Sequence, residues 1–176
     1  KKRCLVVGVF NVTPDSFSDG GLFTDTTTAI NHAKQLIAQG ADLIDVGGES
    51  TKPGATRIEN IEEQKRVIPV IEELTNLGII TSIDTMRSQT AELAVKAGAQ
   101  IVNDVSGGLA DSEMLKTAAR LQVPYIAMHW RGHSTVMDNL ATYSDVVTEV
   151  VNEIQIQVDK AIKSGIDRNK IVIDPG

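Results

Sequence analysis

The sequence is poor in cysteine, in long apolar runs and in excess basic charge, and each shortage narrows what it can be. One cysteine, Cys4, occurs in 176 residues, so neither an intrachain disulfide nor a thiolate metal cluster can form. Cys4 lies in an apolar run and is expected to be a buried strand residue rather than a reactive thiol. No apolar run approaches the roughly 20 residues that span a bilayer. The opening Lys1-Lys2-Arg3 has the charge of a signal peptide, but its apolar continuation is short and runs into Asn11 and Pro14. No membrane association and a cytoplasmic location are expected. The formal net charge of −6 argues against nonspecific nucleic-acid binding, which needs a basic face. It leaves room for an anionic small substrate, because helix N-termini and a metal supply local positive potential.

What is present is an ordinary globular composition, 41% hydrophobic and 23% charged, enough for one domain with a single core over residues 1–176. Short aliphatic runs at residues 5–9, 43–46, 79–83, 101–102, 125–128 and 171–173 read as buried parallel strands. Between them the apolar residues take helical spacing. Val147, Val151, Ile154, Val158 and Ile162 form one stripe, and Ile61, Ile68, Ile71 and Leu74 another. Ala33, Leu36 and Ile37, then Leu93, Ala94 and Ala97, then Met114, Leu115, Ala118 and Leu121 mark the remaining helices. Gly40, Gly78, Gly98 and Gly165 each follow a helix and precede a strand, where a left-handed cap is wanted. Residues 40–46 and 98–105 repeat one helix-to-strand turn.

Strict alternation of strand and helix means an α/β fold with a parallel sheet. The loop after the first strand reads Asn11-Val12-Thr13-Pro14-Asp15-Ser16 and not G-x-G-x-x-G, so a dinucleotide-binding open sheet is disfavoured. The competing architecture is a (β/α)8 TIM barrel, normally about 250 residues, of which about six βα units fit in this chain. Polar side chains collect at one end of the strands: Asn11, then Glu49, Ser50 and Thr51, then Asp84, Asn103 with Asp104, His129 and Asp174. In a parallel barrel those ends converge on the face that carries active sites. Any one of these groups could instead cap the helix that follows; the run of them at every strand favours a site. Two long Gly/Pro-rich loops, residues 13–21 and 47–54, offer hydroxyls and backbone N–H groups suited to an oxyanion.

Those residues carry a resemblance. Gly8-Val9-Phe10-Asn11-Val12-Thr13-Pro14-Asp15-Ser16-Phe17-Ser18-Asp19-Gly20-Gly21 and Asp45-Val46-Gly47-Gly48-Glu49-Ser50-Thr51-Lys52-Pro53-Gly54-Ala55 resemble the two long signatures of dihydropteroate synthases. Ser82-Ile83-Asp84-Thr85, Val102-Asn103-Asp104-Val105-Ser106-Gly107-Gly108, Met128-His129 and Ile173-Asp174-Pro175-Gly176 follow in the family's order. The resemblance implies a transferase of folate biosynthesis. It would condense 6-hydroxymethyl-7,8-dihydropterin pyrophosphate with p-aminobenzoate, with Mg²⁺ assisting and sulfonamides competing. It further implies a homodimer at full length.

By the same resemblance, Asp84, Asn103 and Asp174 would read the amino-pyrimidinone edge of the pterin, and Val105 and Met128 would touch its ring. Asn11 would ligate Mg²⁺, with Asp19 a second candidate. Thr51 would donate to the pyrophosphate, while Phe17, Lys52 and Pro53 would line the p-aminobenzoate pocket. Lys52 stands where the family more often has arginine; lysine keeps the charge and loses the bidentate fork. The family's domain continues past Gly176, and its pterin-contacting lysine and phosphate-binding arginine and histidine have no counterpart here. A polypeptide ending at Gly176 is therefore expected to be inactive and poorly soluble, with an open strand edge. The rival readings are a methyltetrahydrofolate-binding methyltransferase domain, which would not need the two long loops, and a silent pterin-binding paralogue. His32 reads as a surface or packing residue. His129 and His133 are spaced for zinc, but Gly132 interrupts them and no third ligand is evident.

Overall fold

The computed structural model describes residues 3–12, 21–49 and 57–176. Its elements alternate: β1 (Val7–Asn11), α1 (Gly21–Ala38), β2 (Leu43–Gly47), α2 (Asn60–Asn76), β3 (Thr81–Asp84), α3 (Ser88–Lys96), β4 (Ile101–Asp104), α4 (Met114–Leu121), β5 (Tyr125–Met128), α5 (Met137–Leu140), α6 (Val146–Lys163) and β6 (Ile171–Asp174). All strand pairs are parallel. The sheet order is β1-β2-β3-β4-β5-β6, so the chain adds each strand beside the last and never reverses. That is the winding of a (β/α) barrel and not of a doubly wound sheet.

The helices cover one face of the sheet, and successive ones touch: α1 on α2, α2 on α3, α3 on α4, α4 on α6. Ile44, Val46, Ile83 and Val102 of the strands join Val67, Ile71 and Leu74 of α2 in one buried cluster. Removing apolar side chains of this size from water stabilises by about 1.5–3 kcal/mol each. The pleat sends alternate residues to the other face. There Val9 of β1 and Val172 of β6, the two edge strands, are 66% and 50% exposed.

Four helices end in one device. Gly40, Gly78, Gly98 and Gly165 all have positive φ. In each case the glycine N–H bonds three residues back and the next N–H bonds five back, as in Gly98 N→Val95 O at 3.1 Å and Ala99 N→Ala94 O at 2.9 Å. This Schellman pattern satisfies carbonyls that the helix leaves open and turns the chain into the next strand. α4 lacks the glycine and forces Gln122 to φ 58° instead.

Several expectations shift. The first strand starts at Val7 and runs to Asn11, so Leu5 and Val6 precede it and are exposed. Polar contacts hold this segment, since the Asp42 carboxylate accepts from Arg3 and from Val6 N. Cys4, expected to be buried, is exposed for the same reason. In α6 the stripe works only in its second half: Ile154 and Val158 are buried with Gln157, whereas Val147 and Val151 are exposed. Ile61 and Leu93 also face solvent. A sixth helix, α5, is a single turn that the periodicity did not mark.

Gly98 and Gly40 have nearly the same φ, 114° and 111°, yet an added Cβ at Gly98 would strike Thr75 while one at Gly40 meets nothing. Gly40→Ala should cost about 1–2 kcal/mol from backbone strain alone. Gly98→Ala should cost more, measurable as a larger drop in urea midpoint; equal losses would contradict the packing difference.

Candidate active site

Register builds the site. Asn11 lies beside Gly47, Gly47 beside Asp84, and Asp84 beside Asn103, one residue from each of four adjacent strands at their carboxyl ends. Further round, Met128 lies beside Asp174. Gly47 lets this layer close up: a Cβ there would sit 2.8 Å from Asn11 Oδ1 and 3.2 Å from Asp84 Oδ2. Any side chain at 47 would push the two oxygens apart.

Beneath Asn103 lies Asp45, 6% exposed in the middle of β2. Its carboxylate accepts from Ser82 Oγ at 2.5 Å and from Asn103 Nδ2 at 2.8 Å. Burial raises its pKa, and the Ser82 and Asn103 hydrogen bonds work against the rise. Asp84 stands in a more acidic place. Its pKa is raised well above the usual carboxylate range, first by burial and then by Asp45, Glu63, Asp104 and Glu49. Its side chain keeps partial access to solvent at the rim, so a ligand can reach the group that the surroundings have made hard to ionise.

A second network ties the rim to the helices. Glu63 of α2 is 1% exposed and accepts from Thr85 Oγ1, Arg87 Nη1 and Thr90 Oγ1 at 2.7, 2.9 and 2.8 Å. Arg87 also pairs with Glu49 at 2.7 Å, and Arg57 reaches Glu49 at 3.1 Å. Burial disfavours the Arg87 charge, but Glu63 and Glu49 outweigh it and leave the pKa raised. Removing one partner of a buried pair of this kind costs about 3–5 kcal/mol, because the other charge is stranded.

Above the layer a cleft of about 150 Å³ is walled by Met86, Val105, Met128, Trp130 and Met137, with Arg57 and His133 at its border. His133 Nδ1 is buried without a hydrogen-bond partner among the described residues. Burial, followed by Arg57, lowers the His133 pKa, and Glu49 works against the fall.

Two of the anticipated rim groups point elsewhere. Asp104 is buried and accepts from Ser106 N, Ser106 Oγ, Gly108 N and Tyr125 Oη, fixing the turn after β4. His129 is buried and meets Glu153 of α6 at 2.9 Å. Both sit one residue past a rim residue, and the pleat turns them toward the helices. Arg131 joins the His129 contact, pairing with Glu149 and Glu153 and stacking 3.9 Å over Tyr143. Those charges explain why the first half of α6 needs no apolar stripe. Among the described residues no group of three or more His, Cys, Asp or Glu side chains could hold a metal. Asn11, Asp84, Asn103 and Asp174 lie at the strand ends, Val105 and Met128 line the cleft, and Asp174 Oδ1 accepts from Gly176 N at 2.9 Å. Phe17, Asp19, Thr51, Lys52 and Pro53 lie outside the described residues.

Sequence reasoning gave no role to Asp45, Ser82, Gly47 or Arg87. One signal for Asp45 was there: a carboxylate inside the apolar run Leu43-Ile44-Asp45-Val46-Gly47, on the same face of the strand as Gly47.

A sequentially wound parallel sheet with amide and carboxylate groups converging at its carboxyl rim, beside an apolar cleft, defines the class: a (β/α)-barrel small-molecule site. The chain matches the family described as pterin binding enzyme over residues 7–176, and it belongs to that family. It is 47% identical over 172 residues to the dihydropteroate synthase of Mycobacterium leprae, covering 97% of this chain and 61% of that protein. It superposes with a TM-score of 0.90 at 43% identity on the Xanthomonas albilineans dihydropteroate synthase solved with 4-aminobenzoic acid, covering 99% of this chain and 62% of that one. The same enzyme solved with 7,8-dihydropteroate gives 0.85 at 39% identity, with 99% and 61% covered. The chain thus spans about three fifths of the length of these relatives.

Asp84 gives a signed test. A carboxyl whose pKa is raised on folding adds stability below its unfolded value of about 3.8 and loses that contribution as pH rises through the folded value. Asp84→Asn should therefore raise the melting temperature at pH 7 and change it little at pH 3. A variant less stable at pH 7 would contradict the electrostatic reading.

Proposed function

We propose that this chain carries the pterin site of a cytoplasmic dihydropteroate synthase. The reaction would join 6-hydroxymethyl-7,8-dihydropterin pyrophosphate to p-aminobenzoate, giving 7,8-dihydropteroate and pyrophosphate for folate biosynthesis. The observation that carries this reading is the rim layer itself: Asp84 beside Asn103, with Asp174 further round and Val105 and Met128 lining the cleft. A pterin has one edge of mixed donors and acceptors and two apolar faces. Carboxylates accept from its N–H groups, an amide serves either sense, and the thioether of Met128 packs on the ring.

The bond that breaks joins the pterin methylene carbon to the pyrophosphate oxygen, which leaves with the electron pair. The bond that forms joins that carbon to the neutral aniline nitrogen, whose excess proton passes to solvent. Little acid–base work is asked of the protein; holding the two reactants in line supplies much of the rate. The acidic surroundings of Asp84 favour positive charge developing on the pterin ring. Asn11 fits one ligand position of a magnesium ion, because its amide oxygen is a hard donor on the rim 2.8 Å from where a Gly47 Cβ would lie. When bound, Mg²⁺ would neutralise charge growing on the leaving pyrophosphate. Thr51 is assigned to the pyrophosphate, Phe17, Lys52 and Pro53 to p-aminobenzoate, and Asp19 to the metal. We read residues 1–176 as one domain and expect the natural protein to be a homodimer.

The test is p-aminobenzoate-dependent release of pyrophosphate from the dihydropterin pyrophosphate, with Mg²⁺, by the natural full-length protein. Release is expected, with inhibition by a sulfonamide competing with p-aminobenzoate, and Asn103→Leu should lower kcat/KM by at least about tenfold. Pterin binding without release would move the reading to a methyltransferase-like or silent relative.

A further inference from the structure

Asn103 can read a ligand only if its amide is held one way round. A primary amide presents a donor on one side and an acceptor on the other, and a half-turn about χ2 exchanges them. On the open rim nothing about the side chain alone would choose between the two. The choice is made from below. Asp45 Oδ2 accepts from Asn103 Nδ2 at 2.8 Å, and Asp45 is itself fixed by Ser82 Oγ on its other oxygen at 2.5 Å. With Ser82 Oγ on Oδ1, the Oδ2 that faces Asn103 is left as an acceptor, so it is met by the NH₂ and not by the amide carbonyl. Among the described residues nothing donates to Asn103 Oδ1. The carboxylate is 6% exposed, well out of reach of solvent that would blur the preference.

We propose that Asp45 is a positioning residue that locks the Asn103 amide with its carbonyl oxygen toward the ligand, so that the site selects a heterocycle offering an N–H at that edge over one offering a carbonyl. Ser82 belongs to the same device, because its hydroxyl occupies the second carboxylate oxygen and leaves the first for Asn103. Burying a carboxylate for this purpose is otherwise unfavourable, and no cation lies among the two groups that hold it. This inference rests on the reading of the rim as a pterin site and names what sets its specificity.

The test compares binding of 6-hydroxymethylpterin with the matching lumazine, in which the C2 amino donor becomes a carbonyl acceptor and N1 gains the proton; an Asn103 carbonyl held toward the C2 substituent is repelled by that oxygen. Titration calorimetry on the natural full-length protein reads both. Wild type should prefer the pterin. Asp45→Asn removes the bias, because an amide can meet Asn103 in either orientation. It should weaken pterin binding and shrink the pterin-to-lumazine preference by roughly tenfold. Ser82→Ala should move the preference in the same direction by a smaller factor. A purely structural role would weaken both ligands equally and leave the ratio alone. An unchanged ratio in both variants overturns the inference while leaving the pterin reading intact; a wild-type protein that binds neither pteridine overturns both.

Discussion

Parallel pairing in unbroken sequential order is the constraint from which the site follows. Because every strand runs the same way, each ends on the same rim, and because the order never reverses, the rim is continuous from Asn11 to Asp174. The four Schellman turns return the chain at a fixed point after each of four helices and so help set where the next strand starts. Start point and register together decide which residue of each strand reaches the end. Gly47 then makes the layer usable, since the space it leaves lets Asn11 and Asp84 approach across β2.

The rim is built at some cost to stability. Asp45 and Asp84 are both carboxylates made harder to ionise by burial, and Asp84 also feels four neighbouring acids. Only part of this is offset locally, by Ser82 and Asn103 around Asp45 and by the arginines around Glu49 and Glu63. An acidic pocket with an unmet demand for donors suits a flat heterocycle rich in N–H groups. Arg57 is the one cationic side chain among the described residues that line the cleft.

Much of this was legible in the sequence. Strand order, the glycine caps and the rim positions of Asp84, Asn103 and Asp174 follow from short β-branched runs, from glycine after helical spacing and from polar residues at run ends. The parity of the pleat was what the sequence reading missed. It counted Asp104 with Asn103 and gave the fifth strand's rim place to His129, yet one residue separates a side chain that faces the rim from one that faces a helix. Residues 5 and 6 look like strand because they are apolar, but pairing with β2 begins only at Val7 opposite Leu43. The first half of α6 looked apolar on one side because Val147 and Val151 recur at helical spacing. What docks there is charged, and Arg131 with Glu149 and Glu153 sits too far apart in sequence for periodicity to see. Asp45 escaped notice because a lone acid in an apolar strand has no local pattern that states its partner.

The central claim is that the carboxyl rim of this sheet holds a pterin by its amino-pyrimidinone edge. A crystal structure of the natural full-length protein with 6-hydroxymethylpterin tests it most directly. The account requires the ring edge within hydrogen-bond distance of Asp84, Asn103 and Asp174, with Val105 and Met128 against its faces. A ring bound elsewhere, or bound at the rim with Asn103 Nδ2 turned toward it, would contradict the account.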